Sequence, residues 1–98
     1  MTASATPFAI EGELAVFTVH ELRERLLAVM DGATGLALDL SAVSEVDGAG
    51  LQLLLALKRE AAARAIDLRL DGHSDPVREA LALTGLGPQL EDAEEAAA

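Results

Sequence analysis

The residues best suited to chemistry in this sequence form the stretch Val46-Asp47-Gly48-Ala49-Gly50-Leu51. It leads from a predicted loop into a predicted helix, for which Asp47 is a suitable N-cap. Free backbone N–H groups and the positive end of the helix dipole point outward at such a start, which suits an anion or a phosphate. A G-x-G turn for a dinucleotide is a weaker interpretation, because Leu53 stands in the place of the third glycine.

Two carboxylates, Asp39 and Asp47, raise a second kind of chemistry. Paired carboxylates serve acid–base catalysis or bind a hard cation. No nucleophile or base is tied to either by spacing, and His20 and His73 each lack a second metal ligand at i+3 or i+4. We therefore expect no enzyme, no cofactor and no metal centre, and retain Asp39 and Asp47 only as candidate contacts for an anion or a cation.

Composition narrows the function classes further. The 98 residues are 51% hydrophobic, which is enough for one packed domain, and there is no cysteine for a disulfide or a thiolate. The formal net charge of -10 repels phosphate backbones and anionic lipid, so we expect no nucleic-acid binding. The longest leucine-rich run, Leu51–Leu57, is too short to insert into a membrane, and no signal peptide is visible. The expected compartment is the cytoplasm.

Hydrophobic periodicity predicts the element order β-β-α-β-α-β-α. Parallel pairing through strand–helix–strand connections is expected, giving the α/β class with helices packed on a small mixed β-sheet. The predicted strands are Phe8–Glu11, Leu14–Phe17, Leu36–Leu40, Ile66–Leu70 and a short edge strand Pro88–Leu90, and a Gly12-Glu13 turn joins the first two. The predicted helices run from Thr18 to Asp31, with a capping box to Glu21, from Gly48 to Arg64, and from a Ser74 cap to Gly85. A loop, Ser41–Asp47, precedes the second helix.

The domain boundaries follow from the same pattern. Residues 1–7 are expected to be a flexible N-terminus, residues 8–90 the folded domain, and residues 91–98 an acidic tail that aids solubility.

The helix predicted from Gly48 carries two apolar stripes, although a surface helix needs only one. We expect the first stripe to be buried, and it contains Gly50, Leu53, Leu54, Leu57 and Ala61. The second contains Leu51, Leu55 and Ala62, and it is either covered by neighbouring helices or exposed to receive a partner. In the second case the helix start and this stripe form one docking surface, made of Asp47, Gly48, Ala49, Leu51 and Leu55.

The segment Leu38-Asp39-Leu40-Ser41-x-Val43-x-x-Val46-Asp47-x-Ala49-Gly50-Leu51 resembles the core of the STAS domain, the fold of sulfate-transporter tails and anti-sigma factor antagonists. The similarity extends from Ile10 to Leu86. The continuation through Gln52 to Ala61 is similar to stand-alone bacterial STAS proteins. These include members encoded among chemotaxis genes and the small cytoplasmic STAS subunit of the phospholipid-trafficking ABC transporter.

The resemblance implies a cytoplasmic, non-enzymatic module that binds an anti-sigma, kinase-like or other signalling protein. In the anti-sigma antagonists a kinase-type partner phosphorylates a Ser or Thr directly after the aspartate, and the matching position here is Gly48, which has no hydroxyl. One alternative is an accessory subunit on the ATPase of an ABC transporter. Another is a small nucleotide- or anion-binding domain. A weak homodimer is also compatible with the leucine-rich surface.

Overall fold

The structure, a computed structural model, describes residues 5–90. Within that range the strands are β1 (Thr6–Ala9), β2 (Gly12–Leu14), β3 (Gly35–Asp39), β4 (Val43–Val46) and β5 (Asp67–Asp71). The helices are α1 (Val19–Met30), α2 (Gly48–Ala63), α3 (Asp75–Thr84) and the short α4 (Gly87–Leu90).

The strands form two small sheets. One has the order β1-β3-β5, and the other pairs β2 with β4. Every pairing within residues 5–90 is parallel, as the strand–helix–strand connections predict, so the described sheets are parallel and not mixed. The α/β class with helices packed on a small sheet is confirmed.

The core is aliphatic. The alternating leucines of β3 and β5 are buried. Helix α2 packs its long apolar side against β5 and against α1 and α4. The expected first stripe of α2 is buried throughout, with Leu54 and Leu57 at 1% exposure each. None of the helices in the described range combines the length and the apolarity that a bilayer crossing requires.

Three local predictions are wrong, for related reasons. The hairpin between the first two strands does not form, since β1 pairs with β3 and β2 pairs with β4. The predicted loop Ser41–Asp47 contains strand β4, and the predicted edge strand Pro88–Leu90 lies in helix α4. Each of these segments is short, so contacts with the rest of the fold decide its structure and its own sequence pattern does not.

The predicted capping box is also wrong. Thr18 is the N-cap of α1 but makes no side-chain cap bond. Its hydroxyl instead donates to the carbonyl of Glu13 at 2.8 Å and accepts the backbone N–H of Ala15 at 3.1 Å. The Thr18 side chain therefore braces the connection between β2 and α1 rather than the helix itself.

The chain ends differ slightly from expectation. Strand β1 begins at Thr6, so Thr6 and Pro7 pair with Leu36 and Ala37, whereas the sequence predicts a flexible N-terminus through residue 7. The predicted acidic tail, residues 91–98, lies outside the described residues.

Candidate functional site

Asp47 organises the start of α2, as its position in the sequence predicts. One carboxylate oxygen, Oδ1, accepts the backbone N–H of Gly50 at 3.0 Å, which is the expected N-cap bond. The other oxygen, Oδ2, accepts the backbone N–H of Val16 at 3.0 Å, across 31 residues of chain. Asp47 thus fixes the segment after β2 to the first turn of α2.

The pKa of Asp47 is lowered from its ordinary value of 3.8, chiefly by the Val16 N–H and then by the Gly50 N–H. Both donors stabilise the ionised carboxylate. Asp47 is therefore a fixed negative charge at the helix start. This carboxylate already takes the anion position that the helix dipole favours.

Close packing at this junction depends on Gly50. A Cβ built at Gly50 would lie 2.0 Å from the carbonyl oxygen of Leu14, which is backbone and cannot move aside easily. The same carbonyl accepts the backbone N–H of Asp47 at 3.2 Å. The glycine that permits close backbone approach is therefore Gly50, two residues after Gly48.

Gly48 has the opposite environment. It is exposed, and a Cβ built there would meet nothing within 4 Å. A side chain at this position would project into open space at the helix start. Ala49 is half-buried and lines a different surface, a shallow cleft between α2 and α1 beside Val19 and His20.

The two leucines of the second apolar stripe of α2 are covered by neighbouring elements. The alternative interpretation, in which this stripe is exposed to receive a partner, is therefore wrong for them. Leu51 is 4% exposed and Leu55 is 8% exposed, and both belong to the hydrophobic core. Neighbouring elements enclose this helix on both flanks, which its own periodicity does not reveal. These two side chains do not form an accessible surface.

Asp39 lies at the end of β3 in the three-stranded sheet, whereas Asp47 follows β4 of the other sheet. Its Oδ1 accepts the backbone N–H of Ser41 at 3.0 Å. Hydrogen bonds from the Ser41 backbone, then from the Ser41 side chain, lower its pKa. Asp39 and Asp47 share no hydrogen-bond partner, so the structure shows no site that combines the two carboxylates. Within residues 5–90, no group of three or more His, Cys, Asp or Glu side chains is placed to hold a metal.

A groove of about 700 Å³ opens beside Asp47. One wall is the connection from β2 to α1, the other is α3, and β4 with Asp47 lies between them. We call it the β4 groove, and define it by Glu13, Val16, Phe17, Glu45, Asp47, Glu79 and Leu83.

The exposed large hydrophobic side chains of the described residues all line the β4 groove. They are Val16 at 58%, Phe17 at 92% and Leu83 at 87% exposure. Single exposed hydrophobic side chains are ordinary, whereas three that line one concave surface make it a candidate interaction site. This surface borders the helix start that carries Asp47 and Gly48.

The sequence interpretation missed Val16, Phe17 and Leu83. Two signals were available. Val16 and Phe17 are consecutive apolar residues, and a half-buried strand can bury only one of two neighbours. Leu83 lies on the flank of the apolar stripe of α3 that contains Val77 and Leu81, so its burial was not required.

Comparison with known proteins supports the same class. A family model described as "Mlab, STAS domain" matches residues 1–91. The solved anti-sigma factor antagonist SpoIIAA, in its unphosphorylated form, is similar at 28% identity and a TM-score of 0.71, covering 99% of this chain and 88% of that one. A sulfate transporter family protein from Wolinella succinogenes is similar at 23% identity and a TM-score of 0.69, covering 88% and 70%, and this likeness shows the fold alone. No match to a curated protein was found.

These findings define the protein as a small α/β domain with the fold of stand-alone anti-sigma factor antagonists. The chain belongs to the STAS family.

Proposed function

We propose that this protein is a non-enzymatic regulatory module that acts by binding a protein partner on the β4 groove. The observation that carries the proposal is the convergence of Val16, Phe17 and Leu83 on a concave surface beside Asp47. The first candidate partner is an anti-sigma, kinase-like or other signalling protein. Support for this choice comes from the likeness to an anti-sigma factor antagonist along almost the whole chain.

In this proposal Gly48 takes the place of the Ser or Thr that a kinase-type partner phosphorylates in the anti-sigma antagonists. Glycine carries neither a hydroxyl nor a charge, so the helix start stays permanently in its unmodified form. The open space around Gly48 fits this role, since a small side chain could be carried there without displacing other atoms.

The second candidate is an accessory subunit that binds the ATPase of an ABC transporter. The absence of a hydroxyl at Gly48 favours it, because a constitutive subunit needs no phosphorylation switch at that position. The same groove would serve as the docking surface.

A nucleotide- or phosphate-binding function has less support. The carboxylate of Asp47 occupies the helix start, and Glu13, Glu45 and Glu79 line the adjacent groove. This concentration of negative charge repels phosphate groups.

Capture from a lysate of the source cells tests the proposal. The tagged protein is compared with Leu83→Ser, which changes the groove, and with Ala82→Ser, which makes a polar change at an exposed position of α3 outside it. We expect one predominant protein to be captured by the parent and by Ala82→Ser but lost with Leu83→Ser. Mass spectrometry identifies it as a signalling protein or a transporter ATPase, which separates the two candidates. A predominant partner retained by Leu83→Ser would show that the β4 groove is not the docking surface.

Gly48→Ser tests the role of the helix start. The unmodified serine is expected to leave partner affinity within about twofold, because a Cβ at Gly48 meets no atom within 4 Å. Calorimetry against the captured protein measures this affinity, and circular dichroism confirms folding. A folded Gly48→Ser variant that no longer binds would contradict the proposal that Gly48 acts as the unphosphorylated form of this position.

A further inference from the structure

We propose that the occupant of the β4 groove is a segment of the partner protein in which apolar residues are flanked by lysines or arginines. This inference rests on the proposed function and adds the chemistry of the partner. It combines the apolar side chains of the groove with the sign and the arrangement of its charges.

The apolar part of the groove requires apolar residues on the partner. Val16 and Phe17 project from the β2–α1 connection, and Leu83 projects from α3 on the opposite wall. Covering three largely exposed side chains removes apolar area from water, which is the dominant favourable term in association.

The charged part of the groove is uniformly negative. Its charged residues are Glu13, Glu45, Asp47 and Glu79, and among the described residues no lysine, arginine or histidine lines it. Within residues 5–90, no ion pair involves the side chains of Glu13, Glu45 or Glu79. These carboxylates are therefore available to a cationic partner.

Two of the glutamates face each other across the sheet. Glu13 of β2 and Glu45 of β4 are direct neighbours in the strand register, and both line the groove. Both side chains are exposed and carry the same charge, so they repel each other modestly. A lysine or an arginine placed between them would relieve this repulsion, so the arrangement is unfavourable in the free protein and favourable in a complex with a cationic segment.

Other occupants fit less well. A second copy of this chain carries the same net charge of -10, and an anionic membrane surface is also negative. The negative charge of this chain would repel both as they approach the groove. A basic amphipathic segment satisfies the apolar side chains and the carboxylates together.

Selection from a random peptide library displayed on phage tests the composition of the occupant. The protein is the bait, and Leu83→Ser is used for counter-selection. We expect enriched peptides to combine apolar residues with an excess of Lys and Arg over Asp and Glu. Enrichment of neutral or acidic peptides, or failure to enrich any sequence, would overturn the inference.

A synthetic copy of the most enriched peptide is then titrated by fluorescence anisotropy. Phe17→Ser and Leu83→Ser should each weaken its affinity about tenfold or more, and Glu79→Lys about fivefold or more. The control Glu21→Lys changes an exposed acid of α1 outside the groove and should stay within about twofold. Equal losses with Glu79→Lys and Glu21→Lys would show only a general charge effect and would overturn the inference.

Glu45→Gln separates binding from a structural role. It removes one of two neighbouring like charges, so the melting temperature should not fall, while the peptide affinity should fall about threefold or more. A lower melting temperature with unchanged affinity would mean that Glu45 serves stability, and the inference would fail.

The inference and the proposed function fail in distinguishable ways. Hydrogen exchange on the complex with the captured protein locates the partner segment that becomes protected. A segment that depends on Leu83 but carries no excess of Lys and Arg would overturn this inference and leave the proposed function intact. Capture that does not depend on Leu83 would overturn the proposed function itself.

Discussion

Helix α2 and the β4 groove contain the same kind of side chain in opposite environments. The leucines of α2 are enclosed on both flanks of the helix, whereas Val16, Phe17 and Leu83 stand in solvent on either side of the groove. Asp47 lies at the boundary, where it caps α2 and also bonds to Val16 on the groove wall. The first region stabilises the fold, and the second is available for binding.

The difference shows that apolar character and binding are separate properties in a domain of this size. The helix with the most leucines exposes almost none of them, because sheet and helices surround it. The exposed apolar surface comes from a connection and from a flank of α3, neither of which carries a long hydrophobic run. Substitutions in the two regions should therefore separate stability from partner binding.

The largest expected effect comes from a charge placed in each region. Leu55→Asp buries a carboxylate in the core without a partner, so we expect the variant to be largely unfolded at 25 °C. Leu83→Asp places the same carboxylate in solvent, and its melting temperature should stay within a few degrees of the parent. Circular dichroism melts of both variants measure this contrast. A cooperative melt of Leu55→Asp near that of the parent would show that the flank of α2 is accessible after all.

A smaller effect is expected from removal of side-chain volume. Leu54 is 1% exposed, so Leu54→Ala should lower the free energy of unfolding by about 2–5 kcal/mol. Leu83→Ala removes the same atoms from an exposed site and should change the free energy of unfolding by less than about 0.5 kcal/mol. Urea unfolding monitored by circular dichroism gives both values. Similar losses in the two variants would remove the distinction between core and groove.

Asp47→Asn tests the link between the two regions through pH. The folded-state pKa of Asp47 lies below its ordinary value of 3.8, because the Val16 and Gly50 N–H groups stabilise the carboxylate. Its contribution to stability is therefore present above about pH 4 and is lost as pH falls through the lowered folded-state pKa. The stability difference between parent and Asp47→Asn should be largest near neutral pH and should shrink as pH falls below about 4.

Urea unfolding between neutral pH and acid measures this dependence. Glu11→Gln is the matched control, because Glu11 is an exposed carboxylate in a connection away from the groove. A difference in the free energy of unfolding between parent and Asp47→Asn that stays constant over the whole pH range would show that the Asp47 carboxylate does not stabilise the fold.

The smallest expected effect is a gain in stability at the far end of α2. Ala65 has φ of 58°, in the left-handed region that an L side chain adopts only at a cost. Ala65→Gly relieves that strain and should raise the free energy of unfolding by about 1 kcal/mol. Partner affinity should not change, since Ala65 does not line the groove. A destabilised variant would show that the unfolded-state entropy of glycine outweighs the relief of strain.

Local signals in the sequence were enough for the longer elements. The apolar periodicity of α1, α2 and α3 and the alternation of β3 and β5 predicted elements that the structure contains. The caps Asp47 and Ser74 were also correct, and their side chains accept the N–H groups of Gly50 and Val77. Caps and periodicity depend on residues three or four positions apart, so a short window of sequence contains them.

The site was predicted only in part. Asp47 and Gly48 lie at the expected helix start, and Asp47 borders the groove. Leu51 and Leu55 were placed on a docking surface that the structure buries, while Val16, Phe17 and Leu83 were not placed there at all. The composition of a helix reports that an apolar face exists, but the elements that cover it come from elsewhere in the chain.

The sequence by itself therefore determined the class of fold, the major helices and strands, the capped start of α2 and the strongly negative charge. Tertiary structure alone decided that β1 and β2 pair with β3 and β4 rather than with each other, and that the β4 groove stays open. The physical reason is range. A cap or a helical stripe is completed within one or two turns, whereas the bond from Val16 to Asp47 joins residues 31 apart and exists only once the elements have packed.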